Sequence, residues 1–322
     1  MAVVRGLTAA TLFGPVMERL RVDPDTERDI LRTHVMLETG YTPQQGPSIA
    51  YQKETLGPAW YWAIGPSMSL WRNPLAAHIT HSILALVGLL VLLLLLRKTL
   101  GTTSAIAVGF LIGSGLWFVE SLSALWHPTA NVGLVLAWFT LLGLGCQTTS
   151  KSPRNWVFAG AWLIQGLMLE MHLSAAAFLP VLCVSQVLHW RRGGWRTHHT
   201  MSILIGLLIA AILIRYAMTH LSLLSGGAID DSNMPTPSLF QTVIDIPSWL
   251  SFGWPAPAGL WSGGLVLCIA LLGLANARPW KQWGLCEIAA TQTVVGMAAL
   301  LVLIHTAGKS TAARFVIMII PA

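Results

Sequence analysis

Long apolar runs with few or no charged residues limit the possible folds of this chain more than any other feature of its sequence. The run at residues 75–96 consists mainly of leucine, alanine, isoleucine and valine, and Arg97 and Lys98 close it. A helix of about 20 apolar residues crosses the hydrocarbon core of a bilayer. Comparable runs occupy residues 104–122, 130–146, 156–169, 173–190, 201–219, 259–277 and 287–305. Each run is a candidate membrane span.

The composition of the whole chain also indicates a membrane protein. Charged residues make up 10% of the sequence and hydrophobic residues 54%, whereas a soluble domain carries roughly a quarter charged residues. The runs are too long for the strands of a membrane barrel, and in lipid a helix satisfies its own backbone polar groups. We therefore predict an all-α, polytopic membrane protein with about 8–10 transmembrane helices.

The apolar runs and the polar segments between them predict one membrane domain over residues 1–322. Residues 1–22 form a partial or interfacial first helix, and residues 23–74 form a first loop that carries interfacial helices. A helical core at 75–220, a second loop at 221–258 and C-terminal helices at 259–322 complete it. The final apolar run begins at Phe315 and stops at Ala322.

The charges of the loops predict how the chain is oriented across the membrane. If the first loop lies outside, the short inner loops hold most of the basic residues, as the positive-inside rule requires. Of the 13 acidic residues, only Glu287 then falls on the inner side. The net charge of +6 does not indicate a nucleic-acid partner, because the basic residues mark loops and form no single patch. We expect a multi-pass protein of a bacterial inner or plasma membrane, with any acid–base chemistry facing the periplasm or exterior.

The segment from Asp23 to Pro66 combines a charged start with an aromatic end. Its charged start has two interpretations: a catalytic segment facing water, or a solvated helix start with Asp25 as N-cap. In the second, Arg28, Asp29 and Arg32 form exposed pairs one turn apart. The aromatic end contains Trp60, Tyr61, Trp62 and Trp71. Such a cluster is typical of an interfacial helix in the aromatic belt of a membrane.

Polar residues within the apolar runs are further candidates. Glu170 and His172 interrupt a long apolar stretch, which indicates a turn between two spans. Arg215 either extends its guanidinium to the interface or binds a phosphate in a cavity. His78 and His81 stand one turn apart at the start of their span, without the spacing of a known metal motif. The four cysteines show no CxxC spacing, so we predict neither disulfides nor a zinc site.

Several blocks in order resemble the membrane glycosyltransferases that use polyprenyl-phosphate sugars. The resemblance is to glycosyltransferase family 39, of the protein mannosyltransferase and aminoarabinose transferase type, with the C-type fold. By this resemblance we expect the chain to be shorter than members of the family at both ends. The matching blocks are the D-x-x-R-D element from Asp25 to Asp29, GYTPQQGP at 40–47, LGPAWYWAIGP at 56–66, ALWHPTANV at 124–132, WLIQGLMLEMHLSAAAFLP at 162–180 and ARFVIMIIP at 313–321.

The resemblance implies an enzyme that transfers a sugar from a polyprenyl-phosphate donor to an acceptor on the outer face, with inversion. A loop carboxylate acts as general base in this family. Asp25 matches it, with Asp29 and Asp23 as alternatives. Arg314 matches the arginine of the family's late helix and is expected to bind phosphate, followed by Arg215 and Lys309. Further substrate-binding candidates are His172, Glu170, His127, Trp60 and Tyr61. No cofactor is expected, although the chemistry leaves room for a divalent cation.

Departures from the family pattern keep a second class open. His127 stands where asparagine is common, Phe315 replaces tyrosine, and residues 1–22 barely provide a first span. An accessory subunit without catalysis, packing against other membrane subunits and lipids, would tolerate these changes. A secondary transporter is disfavoured because no matched internal repeat is visible.

Overall fold

A computed structural model describes residues 24–43, 46, 57–114, 118, 122, 125, 127–147, 156–193 and 200–211. These ranges are helical apart from short turns and contain no strand. The all-α class predicted from the sequence is therefore confirmed. The predictions for residues 1–22, the loop at 221–258 and the helices at 259–322 lie outside the described residues.

Two helices lie in the predicted first loop. Helix α1 is Pro24–Thr39, and it begins with a proline, whose fixed φ and missing N–H suit the first helical turn. It is followed by Gly40, whose N–H donates to the Met36 carbonyl at 3.0 Å and whose φ of +68° directs the following chain away from the helix. Helix α2 is Ala59–Leu70. The expectation that this loop carries helices is confirmed.

Helix α3, Pro74–Leu100, follows and contains the first predicted span. The Asn73 side chain accepts a hydrogen bond from the Leu75 N–H at 2.9 Å and caps the helix start. Arg97 and Lys98 lie in the last turn, where the helix dipole favours cations, and Gly101 follows with a φ of +91°. At 27 residues, α3 is about 40 Å long, enough to cross a bilayer. It is the one helix in the described ranges with the length and apolar composition of a span.

The remaining helices follow the predicted runs. Helix α4 is Thr102–Ser114, α5 is His127–Gln147 and α6 is Val157–Met171. A 3₁₀ helix at Leu173–Phe178 leads into α7, Leu179–Gly193, and α8 is Thr200–Ala211. The predicted break near Glu170 is confirmed, because α6 ends at Met171 and His172 lies outside any helix.

The described residues fall into two compact units. The first contains those up to Ala137 together with Leu167–Leu173; the second contains Trp138–Gly166 and those from Ser174 onward. The hydrophobic core of the first unit contains Ile30 of α1, buried residues of α2, two residues at the start of α3 and two residues from elsewhere in the chain. Its members are Ile30, Ala59, Trp60, Tyr61, Ile64, Met68, Ala76, Ala77, Leu125 and Met171.

Helices α3 and α5 meet in the first unit through glycine. A Cβ added to Gly88 would collide with the Gly133 backbone, and one added to Gly133 would collide with the Leu84 backbone. Small residues allow helix backbones to approach this closely, which is a common way for membrane helices to pack.

Aromatic rings form the core of the second unit. Trp138 packs edge to face against Phe139 and Phe178, with ring centroids 5.1 and 5.3 Å away. The Trp162 Nε1 donates a hydrogen bond to Gln186 Oε1, and Gln165 Nε2 donates to the Ala175 carbonyl at 2.7 Å. These side-chain bonds tie α6 to the 3₁₀ helix and to α7.

Candidate functional site

Helix α1 contains two of the aspartates that the sequence suggested. Asp25 is the second residue of the helix, and Asp29 follows four residues later, about one turn along the backbone. The Asp29 side chain is buried, and Arg28 donates to its Oδ1 from Nε at 3.1 Å and from Nη2 at 2.9 Å. The interpretation of this segment as a solvated helix with exposed pairs is thus wrong for Asp29. Asp25 lies inside α1, one residue after its first, so the expected N-cap role is also wrong.

The inward side of α1 carries polar residues beside the apolar Ile30. Thr26 and Thr33 are buried with Asp29, at helical spacing. Thr26 Oγ1 donates to the Leu125 carbonyl at 2.7 Å, and Thr33 Oγ1 donates to the Asp29 carbonyl at 2.8 Å. The Thr26 bond joins α1 to residue 125, so it restrains the rotation of α1 and with it the side of the helix on which Asp29 lies.

Tyr61 of α2 faces the charged residues of α1. Burial raises the pKa of its phenol to about 12, and the negative charge of Asp29 acts in the same direction. The guanidinium groups of Arg32 and Arg28 oppose both effects. Tyr61 is therefore a neutral hydroxyl at physiological pH, set between a carboxylate and two cations. Such a group can donate a hydrogen bond and does not add charge.

Trp60, the neighbour of Tyr61, lies against a histidine of α3. Trp60 is buried and meets the His81 ring edge to face at a centroid distance of 6.4 Å. The ring of a second α3 histidine, His78, lies 6.4 Å from that of His81 and is also buried. The aromatic segment thus has one residue in contact with His81 and the next beside the α1 charges. Trp62, by contrast, is largely exposed.

Glu170, near the end of α6, reaches Gly57, which lies two residues before the first residue of α2. A Cβ added to Gly57 would coincide with the Glu170 carboxylate, so glycine is the residue that permits this approach. Two residues further on, His172 is buried, and its N–H donates to the Met168 carbonyl at 2.8 Å. Asn131 Nδ2 donates to the same carbonyl at 3.2 Å.

The structure brings together some of the residues that the sequence predicted for the site. Asp29, Trp60, Tyr61, Glu170 and His172 all lie in the first unit. Asp25 and His127 are described by backbone alone, at the second position of α1 and the first of α5. The predictions for Asp23, Arg215, Lys309 and Arg314 lie outside the described residues. Within the described ranges, no group of three His, Cys, Asp or Glu side chains could hold a metal ion.

Three residues of this site were not among the functional candidates suggested by the sequence: Thr26, Arg32 and Gly57. Helical spacing was the available signal for two of them, since Thr26 and Arg32 flank Asp29 at intervals of three residues. The signal for Gly57 was its position directly before Pro58, at the start of a helix. No local pattern shows that a carboxylate more than a hundred residues later will occupy the space beside it.

The fold and this site define a class: an integral, multi-pass, all-α membrane protein with a short charged helix packed on an aromatic one ahead of a long span. Two crystal structures of ArnT from Cupriavidus metallidurans share the fold, one in the apo state and one bound to undecaprenyl phosphate. Each superposes with a TM-score of 0.67 at 15% identity, covering 99% of this chain and 57% of the ArnT chain. ArnT is an aminoarabinose transferase with the C-type glycosyltransferase fold, so the resemblance predicted from the sequence is confirmed at the level of fold. Neither protein-family models nor curated proteins give a match.

Proposed function

We propose that this protein transfers a sugar from a polyprenyl-phosphate donor to an acceptor at the membrane surface. The observation that carries the proposal is the fold shared with ArnT bound to undecaprenyl phosphate, which covers 99% of this chain. The chain spans 57% of the ArnT length, so donor, acceptor and activity are proposals for this molecule. Mannose, other hexoses and aminopentoses are the sugar classes to be tested.

The carboxylates of α1 supply the base in this proposal. Asp25 accepts the proton of an acceptor hydroxyl or amine while the acceptor atom attacks the anomeric carbon of the sugar. The bond between that carbon and the phosphate oxygen breaks, and the polyprenyl phosphate leaves with the bonding electrons. Attack opposite the leaving group inverts the anomeric centre. Asp29, four residues further along α1, and Asp23 are the alternatives for the same role.

The leaving phosphate requires cationic partners. Arg314, Arg215 and Lys309 remain the proposed groups. Tyr61, Glu170, His172, His127 and Trp60 remain proposed contacts of the sugar or acceptor. Placing this chemistry on the outer or periplasmic face of a bacterial membrane follows from the basic inner loops and the acidic first loop. No cofactor is needed for the steps above, and a divalent cation is testable by chelation.

The test is transfer by purified protein in lipid nanodiscs from a panel of radiolabelled undecaprenyl-phosphate sugars. Asp25→Asn is expected to reduce transfer by at least about 100-fold, the lower range for loss of a general base. Glu27→Gln is the matched control, because Glu27 is an exposed carboxylate on the same helix and its loss should leave transfer unchanged. Repeating the assay with a chelator tests the cation.

An accessory membrane subunit is the competing function. It predicts no transfer from any donor, and it predicts that wild type and Asp25→Asn join a larger membrane assembly equally well. Transfer that survives in Asp25→Asn but is lost in Asp29→Asn would instead identify Asp29, one turn further along α1, as the base.

A further inference from the structure

His78 and Trp60 hold buried nitrogen atoms that have no hydrogen-bond partner in the part of the chain that the structure describes. His78 is 2% exposed and Trp60 is 1% exposed. Both ring nitrogens of His78 and the Nε1 of Trp60 are unsatisfied. A buried polar group without a partner is costly, and native proteins usually meet such groups with a ligand or ordered water. These nitrogens therefore indicate an additional molecule at this place.

The two side chains belong to one group. Both are neighbours of His81, whose ring centroid lies 6.4 Å from that of Trp60 and 6.4 Å from that of His78. The group joins the N-terminal part of α3 to the start of α2. We name Trp60, His78 and His81 the Trp–His group.

The chemistry of the Trp–His group favours a neutral hydroxylated ligand. A neutral imidazole offers one donor and one acceptor, and the indole offers a donor alone. A hydroxyl group both donates and accepts, so the hydroxyls of a sugar match the donor and acceptor nitrogens of His78 and the donor nitrogen of Trp60. A phosphate oxygen accepts only, and the group contains no lysine or arginine to neutralise its charge.

The Trp–His group is also next to the charged residues of α1. Trp60 and Tyr61 are consecutive on α2, so their side chains leave the helix about 100° apart. Trp60 contacts the α3 histidine, and Tyr61 is close enough to Asp29 and Arg32 for their charges to shift its pKa. A ligand on the Trp60 side would thus contact the same helix that places Tyr61 near Asp29.

We propose that His78 and Trp60 form a subsite that hydrogen bonds the hydroxyl groups of the sugar in the polyprenyl-phosphate donor. This inference rests on the proposed function, and it assigns the recognition of the sugar to residues separate from those that bind phosphate. It predicts that these two residues distinguish a lipid phosphate that carries a sugar from one that does not.

The test measures dissociation constants for the protein in nanodiscs. The probes are undecaprenyl phosphate and undecaprenyl-phosphate-linked glucose, mannose and 4-amino-arabinose. Trp60→Phe keeps an aromatic ring and removes the N–H; it should weaken the tightest sugar-bearing probe about fivefold, the value of one hydrogen bond. Binding of undecaprenyl phosphate should change by less than about twofold. Trp62→Phe, on the exposed side of α2, is the matched control and should change neither.

His78 provides a second, independent variant. His78→Phe should weaken the same sugar-bearing probe, and His78→Gln, which restores a donor and an acceptor, should recover part of the loss. Equal weakening of both kinds of lipid would indicate a structural role and would overturn the subsite. The subsite would also be overturned if wild type bound undecaprenyl phosphate and bound no sugar-bearing probe more tightly than that lipid. This result is expected if water occupies the position. Failure to bind any of the lipids would overturn the proposed function as well.

Discussion

At the scale of single residues, adjacent positions in this chain have opposite surroundings. Arg28 and Asp29 form an ion pair, although they are neighbours on α1. Trp60 and Tyr61 are both buried, yet Trp60 contacts a histidine ring, whereas nearby charges shift the pKa of Tyr61. Residue type alone did not indicate this: the sequence pattern was equally compatible with an exposed Asp29. Burial depends on which helix packs against α1, and that partner, α2, begins 20 residues after α1 ends.

Tyr61 should make stability depend on pH in the alkaline range. Its pKa is about 12 in the folded protein and 10.0 in the unfolded chain. Between these values the unfolded state has lost the proton that the folded state keeps, so the free energy of unfolding falls as pH rises from about 10 to 12. Below about 10 both states hold the proton, and Tyr61 contributes no pH dependence.

Chemical unfolding of wild type and Tyr61→Phe in detergent, at several values of pH from 8 to 12, measures this effect. The stability difference between the two proteins should be constant up to about pH 10 and should then shift in favour of Tyr61→Phe. Tyr41→Phe, at an exposed tyrosine, is the control. A difference that stays constant up to pH 12 would contradict the pKa assigned to Tyr61.

At the scale of elements, the start of α2 is fixed by contacts that come from far along the chain. Glu170 of α6 occupies the space beside Gly57, and Met171 belongs to the same core as Trp60 and Tyr61. The sequence correctly predicted that α6 ends near Glu170, because a charge interrupts a long apolar stretch. It did not predict where that charge goes, since no periodicity relates the two segments.

Gly57→Ala should therefore destabilise the protein, because its Cβ would collide with the Glu170 carboxylate. We expect a loss of about 1–3 kcal/mol, typical of an overpacked site. Glu170→Ala on its own removes the obstacle, and the double variant should be more stable than the sum of the single changes implies. Thermal unfolding in nanodiscs gives the required cycle.

Gly113→Ala is the control for this cycle. An added Cβ there meets nothing within 4 Å, and alanine favours a helix, so this change should be neutral or stabilising. Additive effects of Gly57→Ala and Glu170→Ala would show that the two residues are not in contact.

At the scale of the whole molecule, the sequence predicted the class and most of the helices of the described part. Apolar length and flanking basic residues placed α3 within a few residues, since both signals are local. The close approach of Gly88 and Gly133 was not predicted, because glycine in a helix has several uses and the contact joins distant segments. The chemistry of Asp25 and of the phosphate-binding residues remains a prediction.

One face of α3 should lie against lipid. Ile83, Val87, Leu90 and Leu94 are exposed at helical spacing, whereas Leu92 is buried on the opposite side. Nitroxide labels at Leu90→Cys and Leu92→Cys, in a background without the native cysteines, report the surroundings of each site. Collisions with molecular oxygen should dominate over those with a water-soluble nickel chelate at position 90.

The buried position 92 is the matched control and should be poorly accessible to both reagents. Dominant quenching by the nickel chelate at position 90 would place that face in water and would contradict the membrane assignment of α3.

The consecutive placement of Trp60 and Tyr61 has a thermodynamic consequence. Because both side chains are attached to one turn of α2, a small rotation of that helix moves the two together. A ligand that binds on the Trp60 side and prefers one rotation would also alter the surroundings of the Tyr61 hydroxyl. Linkage is reciprocal, so a change of charge beside Tyr61 would alter the affinity for that ligand by the same factor. Helix α2 would then couple the binding of the donor to the electrostatics of the α1 carboxylates.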